Sequence, residues 1–270
     1  MPAKVAIITG ASRGIGRQAA IAFARAGYAT LITATSQEAL DKVKVEIEQQ
    51  SGTRCFATAG DFSDSVFVET LPQLALQKFG RIDVLVNNAA WRTIESLRSI
   101  SLDNWERTIK ICLTAPAFLS KYCAAAMEAA KIKGTIINLS SVMSQQVAGN
   151  SPAYIACKGA MESLTKELAI TYGRTGIRSI CIRPGFIDTE LSNDYKNDKG
   201  ENVSNDIANN LIDRIPAHRP GMADDVANAM VWLASSEAGY ISGCELTIDG
   251  GLSQNFSGYS IKHLQFPNEY

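Results

Sequence analysis

The chain has little of what metal centres, disulfide frameworks, membrane spans and nucleic-acid grips are made of. It has two histidines, and its six cysteines (55, 112, 123, 157, 181 and 244) form no CxxC pair. Neither a metal site nor a disulfide scaffold is therefore expected, and the thiols read as reduced and mostly buried. No apolar run approaches the roughly 18 residues of a membrane span. Lys+Arg 26 against Asp+Glu 27 leaves a net charge of -1, so no overall field draws nucleic acid or an anionic membrane. The first apolar run, Val5-Ala6-Ile7-Ile8, leads straight into a glycine motif and leaves no room for a secretory or transit segment. A soluble cytoplasmic protein acting on a small molecule is the expectation.

The chain is also without internal repeats, low-complexity tracts or an evident linker. What it does have is 270 residues, 46% of them hydrophobic, enough for one large α/β domain or two small ones. Short β-branched runs at Val5-Ile8, Ala29-Thr33, Cys55-Thr58, Val84-Asn87, Thr135-Leu139, Arg178-Arg183 and Glu245-Ile248 alternate with helical patterns near 15-26, 37-50, 64-79, 102-131, 153-175 and 223-236. This alternation predicts an α/β fold of the Rossmann type. It would be a single-domain, doubly wound parallel sheet of about seven strands, with helices on both faces and ligands at the carboxyl ends of the strands. The domain is expected over 1-252. Its polar segment 190-221, rich in Asn and Asp, reads as a mobile substrate lid. The aromatic tail 253-270 is expected to pack, either on its own domain or on a neighbouring subunit.

The motif Thr9-Gly10-Ala11-Ser12-Arg13-Gly14-Ile15-Gly16 follows a strand and opens a helix, the context that separates a dinucleotide cradle from a chance glycine turn. Gly10 permits the tight turn, Gly14 lets the backbone approach a pyrophosphate and Gly16 lets helix pack close on strand. Ser12, Arg13 and Ile15 join them as expected cofactor contacts. The second strand ends in Thr33-Ala34-Thr35-Ser36, where an acid would hold a ribose 2′-hydroxyl and repel a 2′-phosphate. The hydroxyls of Thr35 and Ser36 with the guanidinium of Arg13 instead favour NADP(H) over NAD(H). Glu38, the counter-evidence, is better placed to open the next helix.

Tyr154 and Lys158 are four apart in a helical pattern, and Ser141 precedes Tyr154 by 13 residues. The first two share a helix face. A free phenol is a poor acid or base near neutral pH, and an adjacent cation favours its ionised form. Ser141, just past the strand Thr135-Leu139, could bind the reacting oxygen. A Tyr-x-x-x-Lys pair alone is common on exposed helices. Its combination with the serine spacing and the cradle is what carries meaning.

These residues resemble the short-chain dehydrogenase/reductase family from about Lys4 to Leu252, through the glycine loop, Asn87-Asn88-Ala89, Ser141, Tyr154-x-x-x-Lys158, Pro184-Gly185 and Asp249-Gly250-Gly251. The glycine loop and Thr33-Ala34-Thr35-Ser36 look most like the NADPH-dependent beta-ketoacyl-acyl-carrier-protein reductase branch. The resemblance implies Ser141, Tyr154 and Lys158 as catalytic residues, with Lys158 also anchoring the nicotinamide ribose. It implies adenine contacts from Asp61 and Phe62 and further cofactor contacts from Asn88, Ala89, Pro184 and Gly185. Ile187 and Thr189 would lie on the nicotinamide side, and the assembly would be a tetramer or dimer. Two positions depart from the family pattern: Ala90 stands for a glycine, and Cys112, seven residues after Trp105, stands for the helix asparagine that holds a proton-relay water. A thiol is a weak hydrogen-bond partner, so a slower or rebuilt relay is expected.

The leading expectation is an NADPH-dependent carbonyl reductase. The alternatives are a dehydrogenase of a polyol, sugar or other secondary alcohol and, from another class, a catalytically weakened cofactor-binding regulator. Substrate choice is expected from Trp91, Arg92, Val142-Met143-Ser144, Gln146, Asn150 and the 186-215 segment. Arg92 reads as a solvated surface residue more than as a binder of acidic substrates. Cys112, Cys157, Trp105 and Trp232 read as core, and His218 as a surface residue.

Overall fold

Val5–Thr9 (β1) is buried at every position, as a strand covered on both faces must be. Its side chains alternate between two cores: Ala6 and Ile8 belong to one apolar cluster and Ile7 to the other. The same division runs through Ala29–Ala34 (β2), Cys55–Ala59 (β3), Val84–Asn87 (β4) and Thr135–Leu139 (β5), while Arg178–Pro184 (β6) and Glu245–Ile248 (β7) contribute to the first cluster. These strands form one parallel sheet in the order β3-β2-β1-β4-β5-β6-β7. This is a computed structural model, and it describes residues 3–190, 195–197 and 199–270. Helices Gly14–Arg25 (α1) and Gln37–Ser51 (α2) cover one face with the later helix Ala223–Ala234. Ser65–Phe79 (α3), Leu102–Ile109 (α4), Ala115–Ala129 (α5) and Pro152–Tyr172 (α6) lie on the other side.

Local chemistry sets the helix ends. The Ser36 and Asp64 side chains cap α2 and α3 by accepting from Ala39 N and Val66 N, and left-handed Gly52 and Gly80 close them. The stretch expected as one helix over 102-131 is interrupted by a π turn, Lys110–Thr114, in which Ala115 N donates to Lys110 O. Pro116 explains it: proline has no N–H for the carbonyl of Cys112, and its ring would crowd that carbonyl in a regular α-turn.

The polar segment 190-221 is not structureless. Residues 191–194 and 198 lie outside the described residues, but Ser204–Arg214 forms a helix (α7), followed by Ala223–Ala234 (α8). The tail folds back on this segment through Tyr259–Gln265 (α9). Asp213 of α7 accepts from Ser260 N (2.9 Å) and Ser260 Oγ (2.7 Å), and Asn255 Nδ2 donates to Arg214 O (2.8 Å). Of the two arrangements expected for the tail, docking on its own domain is present, although Phe256 remains 98% exposed.

One core assignment is corrected: Trp232 is 43% exposed, because the buried stripe of α8 is Val226, Ala227, Met230 and Leu233 and position 232 falls off it. Trp105 is half-buried and His218 exposed. Among the described residues the six thiols are free, with Cys244 half-buried and the others buried. Among the described residues no helix is long and apolar enough to cross a membrane, and no cluster of metal ligands occurs.

Candidate active site

From β1 the chain winds through β2 to β3 in one direction, and from β4 to β7 in the other. A crevice opens where the winding reverses, above the carboxyl ends of β1 and β4. The glycine loop leaves β1 into that crevice with Gly10 at φ +66° and Gly14 at φ +53°. A Cβ on Gly10 would come within 2.8 Å of Asn88 Nδ2, and one on Gly16 would run into the Gly10 carbonyl. Asn88 is a tie across the crevice: its Nδ2 donates to Thr9 O (2.9 Å) and Gly10 O (3.1 Å), while Asn88 N and Ala89 N both donate to Thr9 Oγ1. The side chain expected to touch a cofactor thus secures the loop that would hold it.

The start of α1 suits an anion. Arg13 at the N-cap makes no side-chain cap, and the first turn carries no acidic residue, so its outward N–H groups are left for a ligand. At the end of β2, Thr35 and Ser36 are exposed, and Glu38 is turned to Lys42 (2.7 Å) on α2. Beside the loop is a recess of about 590 Å³ whose walls include Ser12, Arg13, Gly14 and Thr189. The uncapped helix start and the glycines that leave no room for a Cβ together fit a dinucleotide.

After β3, Asp61 accepts from Ser63 N (2.8 Å), a bond that with Arg107 keeps its carboxyl below the ordinary value despite some burial. Phe62 is buried edge-on against Phe67. After β6, a Cβ on Gly185 would collide with Asp249, whose carboxylate accepts from Gly251 N and Ser253 N.

Ser141, Tyr154 and Lys158 line one cavity of about 720 Å³ that also takes in Ile15, Gly185 and Thr189. Lys158 is 3% exposed, its Nζ donates to Leu139 O (2.5 Å) and lies 5.2 Å from the centre of the Tyr154 ring. The phenol and the amine therefore share one side of α6, as their spacing requires. Ser141, extended at the end of β5, accepts from Met143 N (3.1 Å) and starts the short turn Val142–Ser144.

A polar network that sequence reading did not identify holds these three in register. Ser140 Oγ shares its one proton between Lys158 O (3.0 Å) and Glu162 (2.8 Å), Ser144 Oγ donates to Glu162 (2.6 Å), and Arg183 clasps both carboxylate oxygens (2.9 and 2.8 Å). Burial pushes the Glu162 carboxyl up, but the bonds from Arg183, Ser144 and Ser140 outweigh it and hold the group below its ordinary value. A second chain, Asn87 to Asn138 to Thr165, joins β4, β5 and α6 inside the core. No local pattern reveals such partners, since they meet only when the sheet is assembled.

Cys112 sits in the π turn against the Trp91 backbone, its Sγ accepting from Trp91 N (3.2 Å) and donating to Trp91 O (3.3 Å). Burial raises its thiol above the ordinary value, with Lys158 and the Trp91 bond opposing. The reading of Arg92 as a solvated surface arginine is corrected. It lines the cavity, with Cζ 6.0 Å from the Tyr154 ring centre and 5.5 Å from that of Tyr195. Of the expected substrate wall, Val142, Met143, Gln146 and Asn150 line the cavity, as do Tyr195, Ile207, Leu211 and Arg214 of the expected 186-215 segment, whereas Trp91 and Ser144 are not among the lining residues. Leu252 to Phe256 were not anticipated there; the aromatic character of the tail was the available signal.

The family model described as enoyl-(acyl carrier protein) reductase matches residues 10–253. Glucose 1-dehydrogenase 2 of Bacillus subtilis is 32% identical over 251 residues, covering 93% of this chain and 95% of that protein. Meso-2,3-butanediol dehydrogenase of Serratia marcescens is 33% identical over 248 residues, covering 92% and 94%. Among solved structures, acetoin dehydrogenase of Salmonella typhimurium superposes with a TM-score of 0.82 at 28% identity, covering 94% of this chain and 98% of that one. With the sheet order and the serine, tyrosine and lysine gathered at its switch point, these matches establish that the chain belongs to the short-chain dehydrogenase/reductase family of oxidoreductases.

Proposed function

We propose that the protein is an NADP(H)-dependent oxidoreductase that interconverts a secondary alcohol and its ketone, with Tyr154 handling the proton. One observation carries this reading: Ser141, Tyr154 and Lys158 open into the same cavity as Ile15 of the cradle and Gly185 and Thr189 beyond β6. When bound, a nicotinamide supplies or accepts the hydride. Ser141 and Tyr154 bind the substrate oxygen, and Tyr154 gives its proton in reduction and takes it back in oxidation. Lys158, fixed by Leu139 O beside the ring, puts positive charge where the phenolate develops. The acid-free end of β2 with Arg13 supports NADP(H) over NAD(H), in keeping with the reductase-like glycine loop.

A second reading, oxidation as the working direction, is favoured by the relatives, which are named for glucose, butanediol and acetoin dehydrogenation. We also infer a lid over 190-221, a homo-oligomer (tetramer or dimer) and a cytoplasmic location. Exposed Trp232, Ile170 and Tyr240 are apolar surface suited to a subunit contact.

The test is Tyr154→Phe. NADPH binding by fluorescence should persist, while turnover of ketones and alcohols falls at least about 10²-fold, the general acid–base contribution. Turnover that survives the change would overturn the assignment of the proton to Tyr154.

A further inference from the structure

Much of the polar lining of the cavity is already bonded within the protein: Asn88 to the glycine loop, Gln146 to Ser253 O, Asn255 to Arg214 O and Lys262, and Arg92 Nη2 to Tyr195 Oη. The apolar lining is differently placed. It comes from three separate segments: Val142, Met143 and Val147 after β5, Ile207 and Leu211 on α7, and Phe256 in the tail. Ile207 and Leu211 are four apart, so they share one face of α7, and both are only half-buried. Val147 is 67% exposed and Phe256 98%. Single exposed apolar residues are ordinary, but several converging from different segments on one cavity mark surface that a ligand covers. The segments are also fastened to one another. Asp213 of α7 accepts from Ser260 of the tail, Asn255 of the tail donates to the end of α7, and Gln146 joins the loop after β5 to Ser253.

We propose that the substrate is a ketone or secondary alcohol with one extended alkyl arm, which lies against Ile207, Leu211 and Phe256 while its oxygen faces Ser141 and Tyr154. This rests on the oxidoreductase reading above and names its substrate class. The cavity, at about 720 Å³, is within the range of ligand pockets, about 300–1,000 Å³, so an arm of several carbons has room. Each methylene moved from water onto such a wall strengthens binding about two- to fourfold. Arg214 has a buried Nε that makes no hydrogen bond, which makes an anionic arm the rival occupant. That is one nitrogen set against apolar side chains from three segments.

The experiment uses the full-length protein with whichever of NADPH and NADH it takes better, and measures kcat/KM for 2-butanone, 2-hexanone, 2-octanone and the anionic 5-oxohexanoate. From 2-butanone to 2-octanone kcat/KM should rise about tenfold or more, and 2-hexanone should be a better substrate than 5-oxohexanoate. Leu211→Asn and Phe256→Ser, on different elements, should each cut the ratio of 2-octanone to 2-butanone several-fold. The ratio is taken within one protein, so a general loss of activity cancels. In parallel, Tyr154→Phe protein saturated with the oxidised coenzyme is titrated calorimetrically with 2-butanol, 2-hexanol, 2-octanol and 2,3-butanediol, so that binding is read without turnover. A flat or falling ketone series, 5-oxohexanoate outperforming 2-hexanone, 2,3-butanediol binding more tightly than 2-octanol, or a ratio that both variants leave unmoved would each overturn the proposal. Binding that tightens with chain length, with no ketone turned over by the unmodified enzyme, would count against the oxidoreductase reading alone. Turnover and binding that both ignore chain length would count against the alkyl arm alone.

Discussion

Cys112 occupies the position at which the family pattern has a relay asparagine, yet it is not an idle replacement. Its thiol pairs with both backbone groups of Trp91 and so holds the loop that enters the substrate cavity. An asparagine amide has a donor and an acceptor to make the same two contacts and a second lone pair to hold a water. Cys112→Asn should therefore keep the fold and raise kcat several-fold if proton relay limits the rate; an unchanged rate and solvent isotope effect would mean that another route serves Lys158. Glu162 is the other residue on which the site depends, because it gathers Ser140, Ser144 and Arg183 under the catalytic helix. Glu162→Gln leaves Arg183 buried without its counter-charge and should cost about 3–5 kcal/mol in urea unfolding at neutral pH. The carboxyl is held below its ordinary value, so its stabilisation is complete above the ordinary carboxylate range and is lost as pH falls through the lowered value. The gap between the parent and Glu162→Gln should narrow on acidification.

At the level of elements, coenzyme choice turns on the junction of β2 and α2. Ser36 caps α2 through Ala39 N (3.3 Å), and aspartate caps as well as serine, so Ser36→Asp alters charge without undoing the helix. With NADP(H) as proposed above, a carboxylate there would face the 2′-phosphate, and like charges so juxtaposed cost several kcal/mol. The ratio of kcat/KM for NADPH over NADH should fall by about tenfold or more; an unmoved ratio would place the phosphate elsewhere. The boundaries of β4 and β5 coincide with those expected from their apolar runs, because strands buried on both faces must be largely apolar, and those of half-buried edge strand β7 coincide through the alternation of Leu246 and Ile248. The helices α7 and α9 escaped that reading. They have 11 and 7 residues, lengths at which an isolated helix is marginal, and each is held by the other through Asp213 and Ser260.

For the whole molecule, the two apolar layers decide which groups meet solvent. Burial lifts the Cys55 and Cys181 thiols to about 11 and that of Cys157 to about 12, and Cys123 rises further. A maleimide should therefore modify at most half-buried Cys244 in the native protein and all six cysteines after unfolding in urea, as counted by intact mass. Rapid native labelling of Cys112 or Cys157 would show a looser core around α6 than the packing implies.

The glycine loop, the Tyr154 and Lys158 pair, the placement of Ser141 after a strand and the alternation that builds a doubly wound sheet were all legible along the chain. Each depends on residues within a few positions of one another, where backbone geometry fixes relative direction. Only the tertiary structure decided that Arg92 faces the cavity, that Asn88 ties the glycine loop, that Trp232 meets solvent and that Glu162 joins Ser140, Ser144 and Arg183. Those environments arise when segments tens of residues apart come into contact. A side chain's partners are then set by the packing of whole layers and not by its neighbours in sequence.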